Sequence, residues 1–566
     1  MTDQSGTTNY YYNALNQVTT ESLPDSTSAC AGSSPSGITY TYDGVGNLLA
    51  YCDSGGTTTY SYDPDNRLMS IAEPGGSCVS PVSLCTTFQY NAVGAQTKIT
   101  FPGGATQTTT YDNAGDVLAV LGASSTGATL TSFSYTYTNG ADDTPLVQTQ
   151  TENDAVASNT YAYSYNSAND LTAAAVTSGS GTSYAYTYDA DGNMLTKTAG
   201  SAITTYAYNT ADELCWAYAG ASANPCSSAP TGATTYSFDS DGNETGSSAG
   251  ASFSYNAKNQ ATSITYGDSS LPDLTYTGPA QDDRISAGAT TFDNSGVGNA
   301  ISTTAGSSTY YLYDDEGIAL GERIGSAHYY FLTNAVGSVV AVINGSGQTV
   351  ADRYGYGPYG NTTYESGTVA NPFGYAGGYT DPTGLILFGA RYYDPNTDRW
   401  TQVDPIASGQ ASAYAYGDDD PVNNSDPSGC WSHEVTAKAE VTDIVLLPLN
   451  TIWLTVEWNG NGGAVTGATG YLTVNAHNSA AVGNWSITSE SLWWSSGCVG
   501  CGSITLSAVV SFKYDGGVFS IFGNIANRLS LSVTVYGDGY WAWSGGISIE
   551  NNVGFRWQFG AWVGGP

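Results

Sequence analysis

Six aspartates in this 566-residue chain stand directly before a proline, and five of them crowd into one stretch, at Asp381, Asp394, Asp404, Asp420 and Asp426; the sixth is Asp63. Two kinds of chemistry suit such residues. An Asp side chain accepts the downstream backbone N–H while Pro presets φ, so the cluster can be a turn-rich plug and nothing more. Carboxylates held close together share a proton. One can then take a proton from water while its neighbour gives one to a scissile carbonyl or leaving amine.

The nine cysteines are the next reactive side chains. Cys30, Cys78 with Cys85, and Cys215 with Cys226 all fall in unusually long spacers between tyrosine-rich segments. Stapled loops are the reading: Cys78–Cys85, Cys215–Cys226 and Cys30–Cys52, with Cys498 and Cys501 as a CxxC pair. Disulfides of this kind imply an oxidising, extracellular destination. The competing readings are free packed thiols and, for CVGC, half a zinc site that lacks a second CxxC. Cys430 is left over. His433 beside Glu434 and the isolated His477 are too sparse for a metal or nuclease site, so neither a metal nor a cofactor is expected.

The elements that would carry these residues repeat. YTYDGVGNLL, YSYDPDNRLMSI, YSYNSANDLTA, YTYDADGNMLTK and YAYNTADELCWA are copies of one unit, with Tyr42, Tyr62, Tyr165, Tyr188 and Tyr208 before the Asp or Asn. Degenerate copies place Tyr90, Tyr111, Phe238, Tyr255, Phe292 and Tyr313 at the same position. Alternating aromatics put one stripe inward, and Asp-Gly or Gly-Asn pairs supply the positive-φ positions of tight turns, so each unit reads as one β-hairpin. A lone hairpin is not stable in water, so neighbours must stack into one curling sheet.

Composition agrees with a folded β protein: 44 Tyr, 69 Gly and 11% charged residues, with 49 acids against 13 bases for a net charge of −36. A surface this acidic repels phosphate backbones, which excludes nucleic acid as a partner of the shell. The longest apolar run, from Ile444 to Val456, is short for a membrane helix and is broken by Pro448. MTDQSGTTNYYYN has neither a basic nor an apolar leader region, so no signal peptide is visible; export by another route, or a longer gene product, is the expectation.

Over roughly residues 10 to 430 the chain resembles the YD-repeat, or RHS-repeat, family, which includes bacterial polymorphic toxins, Tc toxin C subunits, wall-associated proteins and teneurins. GARYYDP, VDPI, YAYG, DDPVNN and DPSG follow in the order of that family's core segment. The resemblance implies that the core is a self-cleaving aspartyl protease, with Asp404 and Asp426 as its two aspartates and Arg391 as its essential arginine. The cut would fall at Cys430–Trp431, where Cys430 stands in place of the family's usual Leu. The implied partners are the chain's own C-terminal domain as cargo, an immunity protein and a delivery or secretion component.

Past Trp431 the pattern stops. HEVTAKAEVTDIVLLPLNTIWL reads as a helix as far as Pro448, and SITLSAVVSFKY, GGVFSIFGNI, RLSLSVTVYG, YWAWSGGISIE and VGFRWQFGAWV read as strands. Alternation such as Leu529, Leu531, Val533 and Val535 against Ser530, Ser532 and Thr534 fits either a membrane-inserting barrel or a soluble sandwich with one buried face.

The expected architecture is therefore all-β. Residues 1–370 form a long spiralling YD-repeat sheet making a shell or partial shell, 371–430 the core that cleaves and plugs it, and 431–566 a separate β-rich effector domain. The function this implies is an exported toxin, secreted or at the cell surface. The alternative is a surface adhesion protein in which the shell is a scaffold and the aromatic faces contact carbohydrate, without cleavage.

Overall fold

The structure is a computed structural model. Its described residues run from 2 to 562, leaving out 23–36, 405–411, 428, 430–432, 443–447, 461–464, 477–483, 498–502, 517–525, 537–540, 551–555 and a few residues in other turns. Past residue 432 only the backbone is described, Ser507 excepted. The chain divides into two compact units, Met1–Gln402 with Tyr414–Gly429, and Val403–Ala413 with Cys430–Pro566.

The first unit is built from hairpins. From Asn9–Tyr12 to Ser269–Leu271 each strand of one continuous sheet is antiparallel to the strand beside it, in sequence order; a second, 10-stranded sheet repeats the pattern from Thr275–Thr277 to Thr362–Ser366. Each repeat does the same local work. At Asp43 the carboxylate Oδ1 accepts the N–H groups of Val45, Gly46 and Asn47 at 2.8 to 3.0 Å. Asp189 does so for Asp191 and Asn193, and Asn209 takes the same role for Ala211 and Glu213. A side chain that satisfies the turn's own donors leaves no buried orphan there, which is why Asp and Asn interchange at this position.

The tyrosine before that Asp links hairpins. Its hydroxyl donates to a carbonyl on the preceding repeat: Tyr42 to Val18, Tyr62 to Leu48, Tyr90 to Leu68, Tyr165 to Val147, Tyr188 to Leu171 and Tyr208 to Met194, at 2.7 to 3.1 Å. The tyrosine two positions earlier is the core residue, and Tyr40, Tyr60, Tyr186 and Tyr206 are all buried. Between the two, the pairing slips by one residue in repeat after repeat, at Thr41/Tyr42, Ser61/Tyr62, Thr187/Tyr188 and Ala207/Tyr208. Each such bulge bends its strand and adds twist, so a long run of them coils the sheet.

Cys78 bonds to Cys85 and Cys215 to Cys226, with Cα atoms 5.2 and 5.4 Å apart. Cys52 is also disulfide-bonded; Cys30, Cys498 and Cys501 lie outside the described residues.

In the second unit two four-stranded sheets contact each other. One orders Val465–Ala476, Pro448–Gly460, His433–Thr442 and Arg556–Trp562; the other orders Asn484–Gly497, Ser503–Gly516, Ala526–Tyr536 and Trp541–Glu550. Two packed sheets are the arrangement of a sandwich. The expected helix over 433–448 is absent: His433–Thr442 is a strand. Val435, Ala437, Ala439 and Val441 alternate strictly with polar residues there, and that period of two outweighs the helical propensity of Ala, Lys and Glu. GGVFSIFGNI lies largely outside the described residues.

Candidate cleavage site

A four-stranded sheet of Tyr379–Thr380, Ile386–Phe388, Arg391–Asp394 and Arg399–Trp400 holds Asp394, with Asp381 in its first turn. All five aspartates of the cluster are buried, but they do different things. Asp381 is ion-paired with Arg284 at 2.5 Å, and both bond the Tyr392 hydroxyl. Asp394 opens a turn by accepting the N–H of Asn396 and takes the Tyr266 hydroxyl at 2.7 Å. Asp420 holds the Asn423 amide through both carboxylate oxygens, and Asn423 in turn binds the Val147 N–H and the Tyr165 hydroxyl.

Asp426 meets Arg391. The guanidinium is 1% exposed; its Nη2 donates to Asp426 Oδ2 at 3.0 Å and its Nε to the carbonyl oxygen of Gly429 at 2.6 Å. One planar group thus grips the first residue of DPSG and the carbonyl of its last. The guanidinium also lies over the Trp400 ring, 4.1 Å from its centroid. Trp400 is wedged among Phe388, Tyr393 and Tyr416, which fixes the arginine's orientation from behind.

The DPSG turn is itself constrained. Gly429 donates its N–H to Asp426 O at 3.2 Å and has φ +61. A Cβ there would sit 2.2 Å from Phe388 O and 3.0 Å from Arg391 N, so only glycine lets the turn approach this strand.

The structure therefore brings Arg391 and Asp426 together. Asp404 belongs to the other compact unit, where it is buried and its N–H donates to Ala413 O at 3.1 Å. Cys430 and Trp431 lie outside the described residues, as does His477; His433 and Glu434 are placed in a strand by their backbone alone. Among the described residues no group of three His, Cys, Asp or Glu could hold a metal. The sequence reading missed the Arg284–Asp381–Tyr392 network, whose arginine lies 97 residues before Asp381 and outside the core segment.

Tyrosine-linked hairpins ending in an Asp-Pro sheet define a YD-repeat β-shell protein. The teneurin YD-shell model matches residues 143–413 and the RHS-repeat model residues 36–77, and the chain belongs to the RHS/YD-repeat family. It is similar to the tRNA nuclease WapA of Bacillus subtilis (34% identity over 130 residues; 21% of this chain, 6% of the relative). It is also similar to salivary gland surface protein 1 of Aedes aegypti (36% over 127 residues; 21% and 4%) and to toxin subunit YenC1 of Yersinia entomophaga (33% over 84 residues; 14% and 8%). The matches thus span under a tenth of these relatives' lengths. A solved Photorhabdus luminescens Tc holotoxin pore aligns at 15% identity and TM-score 0.39, over 75% of this chain and 26% of that one.

Proposed function

We propose that this is a toxin-type RHS protein that cleaves itself. Residues 1–370 act as the shell, 371–430 as an aspartyl autoprotease and plug, and 431–566 as the effector set free behind the cut. The observation that carries the reading is the grip of Arg391 on both Asp426 and the Gly429 carbonyl, inside the protein. Asp426, beside the guanidinium, serves as the ionised member and accepts a proton from water; the water oxygen bonds to the scissile carbonyl carbon. As the C–N bond breaks, Asp404 gives its proton to the departing amine nitrogen. With the substrate tethered in the same chain, no binding step is needed. By position in the core motif the bond is Cys430–Trp431. Arg391 anchors the carbonyl of Gly429, the residue that precedes that bond in the sequence.

A relative named as a toxin subunit, together with the disulfides, supports a secreted or surface destination. The experiment is a denaturing gel of the purified chain beside Asp404→Asn and Asp426→Asn, with N-terminal sequencing of any fragment. Two wild-type fragments, the smaller starting at Trp431, and single bands for both variants are expected. A wild-type chain that stays intact under all conditions overturns the reading.

A further inference from the structure

The first unit holds a second feature that the cleavage chemistry does not use. A cavity of about 350 Å³ lies where the two large sheets of this unit meet, lined by strands Thr149–Asp154, Ser158–Tyr165 and Val350–Tyr356 and by the turn around Asn334. This is the size of a small-molecule site, enough for one or two sugar rings.

Its lining has an uncommon composition. Tyr161, Tyr163 and Tyr184 contribute aromatic surface, and Gln150, Glu152 and Asn334 contribute amide and carboxylate groups. The Tyr161 and Tyr163 rings run nearly parallel, 6.5 Å apart and inclined by 17°. The lining contains no Lys, Arg or His among the described residues. Flat apolar faces flanked by paired donors and acceptors, with no cation, match a pyranose ring: its C–H face lies on an aromatic ring and its hydroxyls both give and take hydrogen bonds. Anionic ligands would meet no counter-charge.

The wall is also pre-organised. Asn159 Oδ1 accepts the N–H groups of Ser180 and Gly181, both at 2.9 Å, while its Nδ2 donates to Glu152 Oε1 at 2.7 Å. A Cβ at Gly181 would sit 2.3 Å from the Tyr161 hydroxyl, so glycine is needed for the loop to close against that ring. Side chains fixed before a ligand arrives lose little freedom when it binds.

We infer that this cavity is a binding site for a neutral saccharide of one or two rings, with Tyr161 as the stacking platform and Glu152 as the acceptor of ring hydroxyls. The inference does not depend on self-cleavage. It is tested on the full-length chain by calorimetric titration with cellobiose, maltose, lactose and N,N′-diacetylchitobiose, and with tetramethylammonium chloride as the probe for a cation-binding aromatic cage. Saturable binding of at least one disaccharide is expected, weakened about 10-fold or more by Glu152→Gln and by Tyr161→Ala, since a charge-assisted hydrogen bond carries about that factor. Glu152→Gln preserves the side chain's shape, and an unchanged melting temperature shows that the loss is one of recognition. The inference is overturned if no disaccharide binds, if Glu152→Gln binds as the wild type does, or if tetramethylammonium binds more tightly than every sugar.

Discussion

At the residue scale, two DPxG turns in the core separate what a glycine does by conformation from what it does by contact. Gly384 closes Asp381-Pro-Thr-Gly with φ +84 and open space around a would-be Cβ; Gly429 closes Asp426-Pro-Ser-Gly with φ +61 and Phe388 O in the way. Gly384→Ala should therefore cost only the left-handed strain, about 1–2 kcal/mol. Gly429→Ala adds a backbone collision and should cost about 3 kcal/mol or more, while slowing any cleavage. Thermal melts and the gel assay read both. Ion pairs divide in the same way. Arg284 and Asp381 are almost fully buried, so Arg284→Ala strands a carboxylate and should destabilise by about 3–5 kcal/mol in denaturant titration. Arg67→Ala, which breaks a surface pair with Asp63, should change stability far less than Arg284→Ala does.

At the scale of the element, the YD pair joins a turn cap to a cross-hairpin rung. Tyr188→Phe keeps the ring but removes a hydroxyl that touches both Leu171 O and the Tyr359 hydroxyl at 2.7 Å, and should lower stability by about 1–3 kcal/mol. If its melting temperature equals that of the wild type, the rung contributes nothing. This is the level at which sequence is most readable. Tyr-x-Tyr-Asp encodes its local geometry within four residues: one ring goes to the core, one hydroxyl to the neighbouring strand, one carboxylate to the turn. The Asp-Pro cluster is readable only as a kind. Its five members look alike in sequence, yet Asp394 and Asp420 serve turns while Asp381 and Asp426 are each held by an arginine, and Arg284 lies 97 residues from Asp381. Nothing local could announce that pairing. The strand over His433–Thr442 departs from the expected helix for a related reason: Ala, Glu and Lys favour a helix, and neighbouring strands decide otherwise.

For the molecule as a whole, buried carboxyls set a pH dependence opposite to that of an ordinary salt-bridged protein. Burial, aided by Asp394, pushes Glu244 up to about 8 from 4.5; burial and Asp352 do the same to Glu322, and burial raises Asp420 to about 7 from 3.8. Each group holds a proton in the fold that it would release when unfolded. Its contribution is therefore complete below pH ~4 and is lost as pH rises through about 7 to 8. The net charge of −36 adds self-repulsion in the same direction. The melting temperature should fall steadily between pH 5 and pH 8.5, and the double variant Glu244→Gln with Glu322→Gln should flatten that slope; a wild-type profile that rises over this range contradicts the assignment. The rungs between hairpins have a further property: from Tyr42 to Val18 through Tyr356 to Val339, each hydroxyl reaches back to a residue earlier in the chain. A hairpin leaving the ribosome thus carries its own fastener and finds the receiving carbonyl already made. The hairpin-to-hairpin rungs can be laid course by course during translation, while the core contacts between early and late strands, such as the Tyr60 hydroxyl on Tyr313 O, close only once the second sheet is made.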